Sequence, residues 1–135
     1  MNISLGEDAM KTAKIVGIAA GILLMGTPAF AQDSGEIGYA KGALGYDALV
    51  AGQNELALQQ LEAAVAVDVN DPARLINLGQ VYARMGRAGD AARMFMTAMQ
   101  SDRNFDLVLA DGTVINSRKA ANQALQNLNS QFAGR

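Results

Sequence analysis

The chain has 135 residues, half of them apolar, which suits a single domain with a modest hydrophobic core. Eleven Lys and Arg against thirteen Asp and Glu give a net charge of −2, and the basic residues form no cluster, so we expect no nucleic-acid partner. The chain has no Cys and no His, which excludes thiol nucleophiles, Cys/His metal sites and imidazole catalysis. The composition does not exclude an enzyme, but most of the usual catalytic groups are missing, and we expect no catalytic activity, no metal and no cofactor.

The N-terminal part has the order of features that is typical of a secretory signal peptide. Two lysines precede an apolar stretch at 15–25, and the sequence AFA, with its small first and third residues, ends at Ala31. The stretch is shorter than the roughly 20 residues that cross a bilayer. Residues 1–31 are therefore predicted to be an N-terminal extension and a signal peptide, with translation from Met10 and cleavage after Ala31, and we expect a periplasmic or secreted protein without stable membrane insertion. The alternative is an N-terminal membrane anchor.

The remaining residues, 32–135, are expected to form one domain that begins with a pair of helices. Apolar and small residues recur with a helical period over residues 36–50 and again over 56–67. Gly52 and the two polar residues after it punctuate the chain between these runs. This pattern predicts a helical hairpin.

A second pair of helices follows, with clear start and stop signals. Asp71 can cap a helix and Pro72 fits its first turn, where the missing N–H has no helical partner. We predict helices over about 72–85 and 88–100, with Gly86 ending the first of them.

The two predicted helix pairs share a pattern of small and large residues with an offset of 34 positions. Gly45 and Gly79 occupy the same place in the two copies, and a Gly inside a helix costs about 1 kcal/mol relative to Ala, so both need a packing reason. We expect Gly79 and Ala91 to allow close approach of two helices and Phe95 to fill the space beside them. The matching residues are Leu44, Gly45, Ala57, Leu61 and Ala64 in the first copy, and Leu75, Leu78, Gly79, Tyr82, Gly86, Ala91, Phe95 and Ala98 in the second.

These residues resemble the signature of the tetratricopeptide repeat (TPR), a helix-turn-helix unit of 34 residues. The second copy matches the signature fully and the first copy partly. The resemblance implies a mainly α fold of the α-solenoid type, with two repeats at about 38–71 and 72–105. The alternative is a generic four-helix domain in which the small residues coincide by chance.

The repeat does not continue beyond residue 105. Residues 105–109 alternate in hydrophobicity, and Asp111 and Gly112 are a hairpin-turn signal before a second short apolar run. Ser117 can then cap a final helix that covers the open end of the array. We predict a short β-hairpin and a capping helix over 105–132, and the sequence leaves open whether the hairpin edge is offered to a partner strand. The apolar stripe of the helix consists of Ala121, Ala124, Leu125, Leu128 and Phe132.

The resemblance also implies a binding surface, because TPR arrays bind peptides or proteins along a concave face lined by the first helix of each pair. Its aromatic, aliphatic, amide and guanidinium groups suit an apolar segment with a polar or acidic end. Alternatively, the groove is filled by the chain's own N-terminal segment or C-terminal helix. The residues implied are Tyr39, Tyr46, Leu49, Val50, Ile76, Asn77, Gln80 and Arg84.

Together these features predict a non-catalytic protein–protein interaction module, an adaptor or scaffold in the periplasm that binds another protein or a peptide segment. A homo-oligomeric scaffold with a self-filled groove is the alternative. An enzyme that uses carboxylates such as Asp106 and Asp111 is a third hypothesis, but no base, nucleophile or metal constellation accompanies them.

Overall fold

The structure, a computed structural model, describes residues 38–64, 67–109 and 111–134, and the backbone of residues 13–15. Helices and strands follow one another along the chain, and the helices dominate. The helices are α1 (Tyr46–Val50), α2 (Asn54–Ala63), α3 (Pro72–Arg84), α4 (Ala88–Gln100) and α5 (Ser117–Ala133). The strands are β1 (Ala13–Ile15), β2 (Asp106–Val108) and β3 (Val114–Asn116). The mainly helical prediction with a β-hairpin and a C-terminal helix is thus confirmed at this level.

The first helix is shorter than predicted, because glycines interrupt the residues before it. Gly38, Gly42 and Gly45 have φ values of 87°, 80° and 62°, which a right-handed helix cannot contain. The helix expected over 36–50 therefore begins only at Tyr46. Gly45 is also tightly packed, since a Cβ placed on it would lie 3.0 Å from the carbonyl oxygen of Ala57 in α2.

The second helix pair lies within a residue or two of the predicted bounds. The side chain of Asp71 accepts hydrogen bonds from the N–H groups of Ala73 (2.9 Å) and Arg74 (3.2 Å), and Pro72 occupies the first turn. These bonds satisfy two of the N–H groups that a helix start leaves without partners. At the other end of α3, Gly86 takes a φ of 76° and ends the helix.

Helices α3 and α4 meet at Gly79. A Cβ on Gly79 would lie 2.4 Å from Cε1 of Phe95, a distance that real Cβ atoms do not reach. Phe95 is itself almost completely buried in the larger core cluster. The missing side chain of Gly79 is therefore the space that the Phe95 ring fills.

Two clusters of buried side chains form the core, and α3 contributes to both. The cluster between α1, α2 and α3 contains Ala48, Leu49, Ala57, Leu61, Leu78 and Val81. The larger one joins α3, α4, β2 and α5, and contains Leu44, Ala73, Leu75, Ile76, Ala91, Phe95, Ala98, Leu107, Ala120, Ala121, Ala124 and Leu128. The predicted stripe of α5 thus faces this second cluster, with Leu125 and Phe132 packed at its margin.

The C-terminal unit begins with the predicted hairpin. β2 and β3 pair antiparallel, with Leu107 opposite Ile115, and Gly112 has a φ of 82° in the turn between them. The cap of α5 differs from the prediction: the side chain of Asn116, not Ser117, accepts the hydrogen bond from the Arg118 N–H (3.1 Å). Ser117 is instead fully buried against the chain before β2.

The third strand of the sheet comes from the N-terminal part of the chain. β1 pairs parallel with β2 on the side away from β3, which gives the order β1-β2-β3. β1 lies within the predicted signal peptide, whose start at Met10 and cleavage position after Ala31 are outside the described residues. No helix in the described part of the chain combines the length and the apolar character needed to cross a bilayer.

We predict that Gly79→Ala destabilises the protein although alanine is the better helix former. The added Cβ collides with the Phe95 ring, and such overpacking costs about 1–3 kcal/mol of unfolding free energy. Gly89→Ala is the matched control, because Gly89 also lies in a helix but a Cβ there meets nothing within 4 Å. It should leave stability unchanged or raise it by up to about 1 kcal/mol. Urea unfolding followed by circular dichroism measures both changes, and equal effects of the two substitutions would contradict the packing argument.

Candidate functional site: the cleft between α3 and α5

A cleft of about 350 Å³ lies beside the C-terminal halves of α3 and α5. Its volume is at the lower end of the range of about 300–1,000 Å³ that is typical of ligand pockets. Helix α3 contributes two residues, α4 one, and α5 the other five. The lining residues are Gln80, Ala83, Phe95, Ala124, Asn127, Leu128, Ser130 and Gln131.

The helical period explains why these residues share one cleft. Ala124, Asn127, Leu128 and Gln131 are spaced i, i+3, i+4 and i+7 along α5, so they lie on one face of that helix. The apolar members of this face are buried against the core, while Asn127 and Gln131 are exposed at its border. The cleft therefore lies where the apolar stripe of α5 meets its polar side.

The chemistry of the cleft combines an apolar base with uncharged polar walls. Phe95, Leu128 and Ala124 are buried and form the base. Gln80, Asn127 and Gln131 supply amide groups, each of which carries both hydrogen-bond donors and an acceptor. Every described residue that lines the cleft is uncharged. Such a site can pair with the N–H and C=O groups of a peptide backbone while its base receives a small apolar side chain.

Of the eight residues predicted to bind a partner, the structure places Gln80 in this cleft. Leu49, Ile76 and Asn77 are fully buried instead. Leu49 belongs to the core cluster between α1, α2 and α3, and the other two lie on α3, which packs against α2, α4 and α5. Asn77 donates from Nδ2 to the carbonyl oxygen of Leu44 (2.9 Å), and its Oδ1 has no hydrogen-bond partner among the described residues. These three side chains are not available to a partner in this structure.

The other four predicted residues lie apart from the cleft. Val50 is 52% exposed at the end of α1, and Tyr46 is half-buried at its start. Burial raises the pKa of the Tyr46 phenol, and the nearby charge of Asp47 adds to the rise. Arg84 donates from its guanidinium to the carbonyl oxygen of Leu49 (2.5 Å), and partial burial lowers the pKa of this group. The predicted concave surface is therefore not one continuous site.

Tyr39 has a structural partner at the start of α3. Its hydroxyl group donates to the carboxylate of Asp71, with both oxygens at 3.0 Å. The guanidinium group of Arg103 lies 3.0 Å from the carboxylate of Asp68 and 3.9 Å from that of Asp71. Burial raises the pKa of Tyr39 far above its ordinary range, and the charge of Asp71 and the hydrogen bond to it act in the same direction. Tyr39 thus joins the segment before α1 to the cap of α3.

Sequence reasoning missed the contribution of α5 to the site. The side of α5 away from its apolar stripe is rich in Asn and Gln, and that bias was the available signal for Asn127 and Gln131. The period alone could not show which of these amides border a cleft, because that depends on how α5 packs against α3.

We predict that Tyr39 makes stability fall at alkaline pH. Its pKa is raised in the folded state, so its contribution is complete below the ordinary tyrosine pKa of about 10 and is lost as the pH rises above that value. Tyr39→Phe should lower the unfolding free energy at neutral pH by about 1 kcal/mol, since a hydrogen bond to Asp71 is lost. It should also flatten the alkaline decline, with Tyr46 retaining part of it.

Urea unfolding of both proteins between pH 7 and pH 11 measures this effect. Parallel stability curves for the wild-type protein and the Phe variant would show that Tyr39 does not titrate with folding.

Within the described ranges, no group of three acidic side chains is arranged to hold a metal ion. The chain matches no protein-family model, no curated protein and no solved structure. The function is therefore argued from the geometry of the cleft.

Proposed function

We propose that the chain is a small exported TPR-like module that binds an extended segment of another protein in the cleft between α3 and α5. The observation that carries this proposal is the composition of the cleft, which has an apolar base and amide walls on two different helices. Such a surface suits a peptide, because it offers hydrogen bonds to the backbone and space for a side chain.

The two helical hairpins support the TPR-like part of the proposal, because their turns have the same geometry with an offset of 34 residues. The Gln53 N–H donates to the Ala48 carbonyl at 2.8 Å, and the Arg87 N–H donates to the Tyr82 carbonyl at 2.8 Å. Gly52 and Gly86 take φ values of 73° and 76° at equivalent places. Both hairpins thus close with the same helix-ending turn.

The packing inside the two hairpins is equivalent as well. Gly45 leaves room for Ala57 and Leu61, and Gly79 leaves room for Phe95, which stands 34 positions after Leu61. A glycine therefore faces the same position of the second helix in both hairpins, although Gly45 lies just before α1 and Gly79 lies within α3. Two independent contacts at one period favour a true repeat over a chance distribution of small residues.

The occupant is inferred from the absence of charge in the described lining of the cleft and from its amides. A carboxylate or ammonium group of a ligand would lose water in the cleft without gaining an ion pair, which is unfavourable. A neutral stretch of peptide can form hydrogen bonds with Gln80, Asn127 and Gln131. The loss of its bound water costs less free energy than the loss of water from a charged group. Of the polar or acidic end that the sequence suggested for the segment, this proposal keeps only the uncharged alternative, because Arg84 lies outside the cleft lining.

Site-specific photo-crosslinking tests the binding site. A crosslinker at position 127 should capture one partner protein in the cells that produce the chain, whereas one at Asn122, an exposed residue of α5 outside the cleft, should not. The pair Asn127→Ala and Gln131→Ala should weaken capture at position 80 at least tenfold, and Asn122→Ala with Gln126→Ala should not.

Two outcomes would contradict the proposal. Equal capture from positions 127 and 122 would mean that the cleft is not the binding surface. Capture of a second copy of this chain would contradict the adaptor hypothesis and favour the homo-oligomeric scaffold.

Export is tested separately at the predicted cleavage position. The order of basic, apolar and small residues before Gln32 supports cleavage after Ala31. Mass spectrometry of the protein from its own cells should find Gln32 as the N-terminal residue. Ala29→Gln should block processing, because the position three residues before the cut requires a small side chain, whereas Gln32→Ala should not. An N-terminus at Met1 or Met10 in the wild-type protein would contradict export by cleavage.

A further inference from the structure

The outer edge of β2 pairs with β1, a strand that the predicted cleavage would remove. β1 pairs with it in parallel, with Ala13 opposite Asp106, Lys14 opposite Leu107 and Ile15 opposite Val108. All of β1 lies in the segment that cleavage after Ala31 would remove. The same edge would then present unpaired backbone groups.

The hydrogen bonds of the hairpin show which groups these are. The carbonyl of Phe105 accepts from the Ser117 N–H at 2.9 Å, and the Leu109 N–H donates to the Thr113 carbonyl at 2.8 Å. Because backbone groups alternate in direction along a strand, residues 105, 107 and 109 bond toward β3. The N–H and C=O groups of Asp106 and Val108 therefore point toward β1.

The strand that occupies this edge is poorly matched to it. Its register pairs Lys14 with Leu107, which is fully buried in the main core cluster. A charged residue at a register position opposite a core residue is a poorer match there than an apolar residue, because charged side chains are rarely fully buried. An apolar residue at that position would suit the edge better than lysine does.

We propose that the outer edge of β2 is a strand-addition site, which accepts an extended segment of a partner protein parallel to β2. This site rests on the cleavage proposed above, which would remove β1. The segment carries an apolar residue opposite Leu107. This site lies on the sheet and is separate from the cleft, so it is a second interaction surface. The parallel direction favours a different protein over a second copy, because a two-fold axis relating two β2 strands would pair them antiparallel.

Hydrogen exchange of the full chain, read by NMR at single amides, tests the edge itself. In this register the N–H of Lys14 faces β2 and that of Ala13 faces away. Lys14→Pro removes the inward donor and should speed exchange of the Val108 amide about tenfold or more, while Leu109 stays protected by Thr113. Ala13→Pro is the matched control and should change the Val108 rate less than about twofold. An unchanged Val108 rate in Lys14→Pro would overturn the proposal.

Addition of peptides to the Lys14→Pro protein tests whether the edge of β2 binds an extended segment and which residue it prefers opposite Leu107. A synthetic peptide of residues 10–18 with Lys14→Val should restore protection of Val108 at lower concentration than the natural sequence, and the same peptide with proline at that position should not. Absence of protection by all three peptides would overturn strand addition. Protection of Val108 that rises with protein concentration and needs no peptide would overturn the partner protein in favour of a second copy.

Discussion

One buried carboxylate sets the position of the helix on which both core clusters depend. Asp71 is 2% exposed, caps α3 through two backbone N–H groups, and accepts a hydrogen bond from the hydroxyl group of Tyr39. Arg103 approaches it from the segment after α4. Since α3 packs against α2, α4 and α5, an error in where α3 begins would displace every other long helix. A buried charge is tolerated here because its hydrogen bonds replace the water that it loses.

Helix α3 packs closely against α4 on one side and borders the cleft beside α5 on the other. Toward α4, Gly79 lets the Phe95 ring lie against the helix backbone. Toward α5, the small residues Ala121 and Ala124 make contact, but the amides beyond them border an open cleft. The same aromatic ring therefore packs under Gly79 and forms the base of the cleft. Changes at Phe95 would therefore affect both the packing of α3 on α4 and the binding proposed at the cleft.

Local signals in the sequence predicted much of the fold. The Asp71 and Pro72 start, the end of α3 at Gly86 and the turn at Gly112 follow from the chemistry of single residues. The start of α1 could not be predicted, because periodicity does not show whether Gly45 is helical or left-handed. Similarly, the TPR resemblance implied that Leu49 lines a binding surface, but its burial depends on how α1, α2 and α3 pack together. The TPR resemblance and the export signal stay predictions from the sequence pattern.

The uncharged cleft has a consequence for the conditions under which the protein could work. Interactions between exposed charges weaken as salt increases, whereas amide hydrogen bonds and apolar contacts hardly change. None of the described residues that line the cleft titrates between pH 4 and pH 9. Ionic strength and pH outside the cytoplasm change with the medium. If the chain is exported as proposed, the affinity of this cleft for a peptide would stay nearly constant under such changes, whereas the affinity of a site that binds through ion pairs would fall.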